Sequence, residues 1–247
     1  MKYLKIILAS IAVAIVFWGC SSSSEPSKPD FSRYLPNKIG SYWVYEWYDV
    51  DENGNKDPES LTIDSMFVVG PATKGGKNCT EYKTISNGDA SSSFMYVEGS
   101  KMYSFWEALS TDLLPLPLDQ WILMADFEGT TWVILKDSTI SGLEFPDFPG
   151  VKIDVTFGIT AAKGGTKSIQ IGSNTFTAQE FSMNIKIVGK MAGLEIVNFT
   201  KVVKNYFVQD IGLIQSSSDA NKVSILGMGE MTIPGFLQNL IRYNIKK

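Results

Sequence analysis

The chain has 247 residues, 44% of them hydrophobic and 12% aromatic, with two cysteines and no histidine. That length suits one large all-β domain or two small ones, and the missing histidine excludes Ser-His-Asp and Cys-His catalysis and any imidazole metal site. With 22 Lys+Arg against 26 Asp+Glu, net −4, and no basic cluster along the sequence, it lacks the dense positive footprint that nucleic-acid binding needs.

Lys2 and Lys5 precede an apolar run from Ile6 to Trp18, which Gly19-Cys20 closes. A charged start, a short apolar stretch and a small-residue end form the pattern of a signal peptide over residues 1–19. The run is shorter than the roughly 20 residues that cross a bilayer as a helix. Its end resembles a bacterial lipobox. That resemblance implies cleavage before Cys20 and acylation of Cys20, so that the membrane becomes a partner through a stable multi-chain anchor. Ser21, rather than Asp, at the following position implies a cell-envelope location at the outer membrane. The segment SSSSEPSKPD then reads as a flexible polar tether, giving a lipidated Cys and tether over 20–32 and a single β domain over 33–247. Loss of Lys2 and Lys5 with the leader takes the net charge to −6. With Cys20 acylated, Cys79 has no partner for an intramolecular disulfide, and in KNCTEYKT it reads as a half-buried strand residue.

Tyr42 to Tyr48 is rich in aromatics and predicts a strand, with Trp43, Tyr45 and Trp47 on one face and Tyr42, Val44 and Tyr48 on the other. Asn53-Gly54 is a hairpin signal, and Leu61 to Val69 is the predicted return strand. Two hairpins follow, turning at Asn87-Gly88 and at Glu98-Gly99-Ser100. From Ala108 to Glu128 the pattern breaks. Pro115 and Pro117 exclude a helix interior and a central strand there, while Leu113, Leu114, Leu116 and Leu118 remain apolar. The stretch is expected to be an irregular apolar lid or a loop tucked over the core. Thr130 to Asp137 predicts a strand, and EFPDFPG at 144–150 an aromatic loop. Period-2 alternation is then clear at Val151 to Thr160, Phe181 to Ile187 and Ile241 to Lys246, between turns rich in Gly, Ser and Asn. The expected fold class is all-β: a curved antiparallel sheet, a half-barrel or open barrel, with an apolar lid segment.

Two landmarks, Pro36-x3-Gly40-x2-Trp43-x-Tyr45 and YFVQDIGLI at 206–214, resemble those of Gram-negative envelope lipoproteins of unassigned function, some of them similar to half-barrel lipid and lipoprotein carriers. The resemblance implies a curved sheet wrapped round an apolar cavity, and it carries over no functional residue. The leading expectation is therefore a non-enzymatic lipoprotein, facing the outer membrane or periplasm, that holds an apolar ligand such as a lipid or a lipoprotein segment in its concave face. Trp43, Tyr45, Trp47, Leu114, Leu116 and Trp121 are the candidate ligand-binding residues.

Asp49-x-Asp51-x-Asn53-Gly54-Asn55-x-Asp57 has the alternating oxygen ligands of a calcium loop, with Ser60 where a bidentate Glu closes such loops. Asp49, Asp51, Asn53, Asn55 and Asp57 are the candidate ligands, and calcium the one cofactor the sequence suggests. A plain polar turn explains the same residues. This segment motivates the alternative expectation of a glycan- or protein-binding surface or adhesion module, calcium-assisted. A third expectation is a glycoside hydrolase using two of the loop carboxylates Asp112, Asp119, Asp126, Glu128, Glu144 and Asp147, which lie near Trp106, Trp121 and Phe145.

Overall fold

A computed structural model describes residues 29–107, 109–111, 114–116, 119–144, 152–226 and 229–247, with backbone alone at 109–111, 114–116 and 225. Cys20, most of the tether and the EFPDFPG loop beyond Glu144 lie outside the described residues. Phe31–Lys247 forms one unit. Among the described residues the regular structure is sixteen β-strands and two short 3-10 turns, without an α-helix.

In chain order the strands are β1 (Tyr42–Val50), β2 (Thr62–Lys74), β3 (Lys77–Ser86), β4 (Asp89–Glu98), β5 (Lys101–Trp106), β6 (Leu109–Thr111), β7 (Leu114–Leu116), β8 (Gln120–Asp126), β9 (Thr131–Glu144), β10 (Lys152–Ile171), β11 (Asn174–Met191), β12 (Leu194–Val208), β13 (Gly212–Ser218), β14 (Asn221–Ile225), β15 (Gly229–Ile233) and β16 (Gly235–Asn244). Twelve of them join one sheet in the order β8-β5-β4-β3-β2-β1-β16-β13-β12-β11-β10-β9. The sheet curls almost closed into a barrel and leaves one unsealed seam, between β8 and β9. The all-β open barrel expected from the alternation is thus the fold. β6–β7 and β14–β15 are separate two-stranded hairpins.

Chain chemistry explains most of the turns. Asn87 and Gly88 join β3 to β4 with φ of 49° and 92°, the two left-handed residues of a tight hairpin. Gly70, at φ 147°, sits where the β2–β3 ladder slips by one residue, a conformation open essentially to glycine alone. Beyond it the hairpin tip lies on the outer face of β4, β5 and β8. There Lys74 sits over the rings of Phe94 and Phe105, and Gly75 comes close against Phe105 and Trp121.

The segment Ala108 to Glu128, expected to be irregular throughout, divides. Its last part, Gln120–Asp126, is a true edge strand paired with β5. The two prolines lie upstream of it, and Trp121, Ile122 and Leu123 are good strand formers. Pro115 sits in β7 opposite Ser110, in an isolated two-stranded ladder, where the lost N–H leaves no central pairing broken. Likewise Pro234 stands just before β16, which begins at Gly235.

The core is built on the concave face. Trp43, Tyr45, Val68, Tyr82, Ile214 and Leu240 belong to one buried cluster, and Met102, Ala125, Phe127 and Phe181 to a second. Removing one such large side chain from water contributes about 1.5–3 kcal/mol. Leu35 packs against both clusters. It belongs to a short segment, Phe31–Pro36, that crosses one end of the barrel and closes it as a plug. Phe31 stacks on Phe127 with ring centroids 5.3 Å apart, and Tyr34 packs on it at a tilt, 4.3 Å away.

Candidate functional site

Beneath the plug lies a cavity of about 170 Å³. Strand alternation decides which side chains reach it. Trp43 on β1 pairs across to Met66 on β2, Met95 on β4 pairs to Ser104 on β5, and Met102 pairs to Ala125 on β8. Directly opposed residues share a face, so these side chains line the lumen together. A ladder slip between Met102 and Tyr103 adds Met124 to the same wall. Tyr82, Asn205 and Phe207 complete the sheet side, and Tyr34, Leu35 and Pro36 of the plug form the remaining wall. The lining is therefore four thioethers and several aromatic rings, with Ser104 and Asn205 as its polar points.

Hydrogen bonds fix the rigid side of this cavity. The Trp43 indole N–H donates to Ile211 O at 2.6 Å, and the Tyr45 hydroxyl donates to Leu213 O at 2.9 Å. Ile211 lies in the β12–β13 connection and Leu213 at the start of β13, so two β1 side chains hold that end of β13 in place. The Tyr82 hydroxyl donates to Pro36 O at 3.0 Å and so ties the plug to β3. Burial pushes the Tyr45 and Tyr82 phenols well above their ordinary range. Arg33 forms an ion pair with Asp210 at the outer rim, and the guanidinium beside it holds the Asp210 carboxyl below its usual range. The Asp210 backbone N–H donates to Arg33 O at 2.7 Å. Ser216 donates to Asn205 Oδ1 at 2.8 Å, which leaves the Asn205 amide NH2 as a donor.

The residues singled out in the sequence take different places. Trp43 lines the cavity, while Tyr45 is buried behind it in the same cluster. Trp47 shares their face but lies further along β1, half-buried and stacked on Phe236 at 5.9 Å. Leu114 and Leu116 belong to the separate β7 ladder, and their side chains are outside the described residues. Trp121 faces away from the lumen. It pairs with Phe105, next to the inward Ser104–Ile122 pair, and meets the rings of Tyr96 and Phe105 edge-on beneath the β2–β3 tip.

Two carboxylates of the candidate calcium loop, those of Asp51 and Asp57, close its own turns. Asp51 accepts from the backbone N–H of Asn53 and Asn55, at 2.8 Å each, and from the Asn55 amide at 3.0 Å. The Asn55 bonds hold its carboxyl below the usual range. Asp57 caps the 3-10 turn Pro58–Ser60 by accepting from Glu59 N at 2.9 Å. Glu52 is clasped by Lys222 at 2.8 Å and by Thr232 at 2.6 Å, both from the β14–β15 hairpin. Among the described residues no three His, Cys, Asp or Glu side chains converge in a way that could hold a metal ion. Asp126, one of the carboxylates weighed for hydrolysis, accepts from Ser100 Oγ, Glu128 N and Gly129 N and caps the β8–β9 connection. Asp112 and Asp147 lie outside the described residues.

The residues that the sequence reading missed are the methionines 66, 95, 102 and 124 and the plug. Their signals were present. Met66/Val68, Met95/Val97 and Met102/Ser104 each alternate inward, and an aromatic-proline segment, FSRYLP, directly follows the tether.

The fold and cavity together define an antiparallel β-barrel with one seam, one plugged end and an apolar lumen. No protein-family model matches the chain, and no curated protein matches its sequence. Two solved structures are similar to it. One is described as a "putative lipoprotein" from Parabacteroides distasonis ATCC 8503, with TM-score 0.48 and 14% identity over 85% of this chain and 98% of that one. The other is a "putative exported protein with YmcC-like fold" from Bacteroides fragilis NCTC 9343, with TM-score 0.42 and 9% identity over the same shares. Neither likeness defines a family for the chain.

Proposed function

We propose that the protein is a non-enzymatic lipoprotein of the cell envelope, anchored through Cys20 at the outer membrane, whose barrel lumen binds an apolar ligand. The single observation that supports the ligand reading is the cavity under the plug, lined by methionines and aromatic rings around two polar points. Pockets of this make-up, apolar with a few placed polar groups, are the usual form of small-molecule sites. The anchor reading is supported by the leader, the Gly19-Cys20 end and the polar tether. Native mass spectrometry of the purified mature protein tests the first: a bound mass that organic solvent extracts is expected. Identical native and extracted masses, together with no thermal shift from any apolar compound, overturn it. Metabolic labelling with a fatty-acid probe tests the second, with Cys20→Ser expected to abolish the label.

A further inference from the structure

We propose that the cavity under the plug takes a small aromatic molecule bearing one hydrogen-bonding group, of the phenol or indole class, and that Phe31–Pro36 is its door. This rests on the reading that the lumen binds an apolar ligand, and it narrows the guest.

Size is the first constraint. The cavity is about 170 Å³. Pockets for drug-sized ligands run from about 300 Å³ upward, whereas an apolar cavity of about 150 Å³ holds one benzene ring. With the plug in place this cavity fits one ring or two fused rings and is too small for a two-chain lipid.

Lining chemistry is the second. Thioether sulfurs make favourable contacts with aromatic rings, and unbranched methionine side chains adapt to the outline of a guest. Four of them surround this space. A guest without polar atoms would leave Ser104 Oγ and the Asn205 amide facing carbon, which penalises binding. A hydroxyl or ring N–H answers them. A site built with such groups also discriminates against analogues that lack the partner.

Access is the third. Every lining residue outside the plug sits on a strand of the sheet, so opening the cavity anywhere but at the plug or the seam breaks ladder hydrogen bonds. The plug lies outside every ladder of the sheet, and its contacts with the barrel include the Arg33–Asp210 pair, Asp210 N–H to Arg33 O, and Tyr82 to Pro36 O. Segments outside the ladders open at lower free energy than the sheet they cover.

The test uses the full-length mature protein in lipid nanodiscs with 13C-labelled methionine methyl groups, titrated with phenol, indole and palmitate as probes. Ring currents from indole are expected to shift the methyl signals of Met66, Met95, Met102 and Met124 and to leave Met183 and Met231 in place. Ser104→Leu, which fills the cavity, is expected to weaken indole at least tenfold. Tyr82→Phe, which frees the plug, is expected to speed exchange of the bound probe. Indole that binds Ser104→Leu as well as wild type overturns the site. Binding of palmitate with none of either ring compound overturns this inference and leaves the lumen-binding reading standing. No binding of any probe overturns both.

Discussion

Trp43→Phe isolates the contact that ties β1 to the β12–β13 connection. Trp43 is 1% exposed, and its N–H donates to Ile211 O at 2.6 Å. It also packs beside Tyr82, with centroids 6.1 Å apart. Phenylalanine keeps a ring in that packing and removes the donor, stranding a carbonyl in a buried setting. Leaving such an acceptor unmet costs about 1–3 kcal/mol. The lost half of the indole adds a small cavity cost, so the expected loss is about 2–4 kcal/mol. Trp43→Ala should lie at the upper end of the roughly 3–5 kcal/mol range for large aromatic truncations. The control is Trp47→Phe: Trp47 is half-buried, stacks on Phe236 and is expected to cost at most about 1.5 kcal/mol. Urea unfolding reports the differences as shifts in midpoint at constant m-value. Equal costs for Trp43→Phe and Trp47→Phe would refute the claim that the buried N–H bond, rather than ring burial alone, holds this joint.

Gly235→Ala should be strongly destabilising, because an added Cβ falls within 2.6 Å of Ser218 O, Val50 Cγ2 and Ala220 N, two of them backbone atoms. Overpacking of this kind costs about 1–3 kcal/mol, and a thermal midpoint within a degree of wild type would contradict it. Alkaline pH should unfold the protein through its buried phenols. Tyr45 and Tyr82 are raised by burial far above their ordinary value, and Tyr206 is pushed up to about 12. Their stabilising contribution is complete below the unfolded phenol pKa of about 10 and is lost as pH rises through the folded values, at about 1.4 kcal/mol per pH unit for each of Tyr45 and Tyr82 and by less for Tyr206, whose charge solvent screens. Phenolate absorbance should therefore show these three ionising together with loss of structure. Ionisation at pH 10 in folded protein would contradict their burial. Asp51→Ala should lower the thermal midpoint equally with and without millimolar calcium, since the carboxylate closes its own turn. A calcium-dependent rise that the substitution abolishes would establish the loop as a metal site.

How much of this was legible in the sequence follows from the kind of constraint each residue obeys. Alternation at Val151 to Thr160 and at Phe181 to Ile187 identifies strands with one buried face, because the period of two is local and each strand carries it alone. Asn87-Gly88 is legible for the same reason: the turn needs two left-handed residues, and the chain supplies them in sequence. Which face is the lumen is not local. Trp43 and Trp121 look alike in sequence, both aromatic in β-rich surroundings. Pairing with Met66 puts one inside, and pairing with Phe105 beside an inward Ser104 puts the other outside. The calcium-like spacing shows the converse. The oxygen ligands a metal loop needs are also the acceptors a tight turn needs, and Asp51 accepts from Asn53 and Asn55 as a turn residue does. The plug escaped notice because FSRYLP has no period, and its burial depends on rings contributed from residues 127 and 181.

An incomplete barrel must also avoid pairing its free edges with a second molecule. Two features of the seam address this. At the plugged end the edges are pinned by side chains: the Trp132 indole N–H donates to Leu123 O at 2.8 Å, and Lys163 reaches Phe127 O at 2.5 Å. Lys163 also donates its backbone N–H to Thr130 O at 2.9 Å, so the short connection from β8 to β9 is held on both sides. Away from that end β9 is irregular by design of its sequence. Its ladder to β10 slips three times, between Ile153 and Val155, Phe157 and Ile159, and Ile159 and Thr160, and Gly142 takes a φ of 71°. Each slip interrupts the even row of N–H and C=O groups that an incoming strand would need. Lys136 and Asp137, both exposed, add charge to the same stretch. The seam is therefore a poor template for an added strand, and at the plugged end a six-residue segment, Phe31–Pro36, rather than a sheet stands between the cavity and solvent.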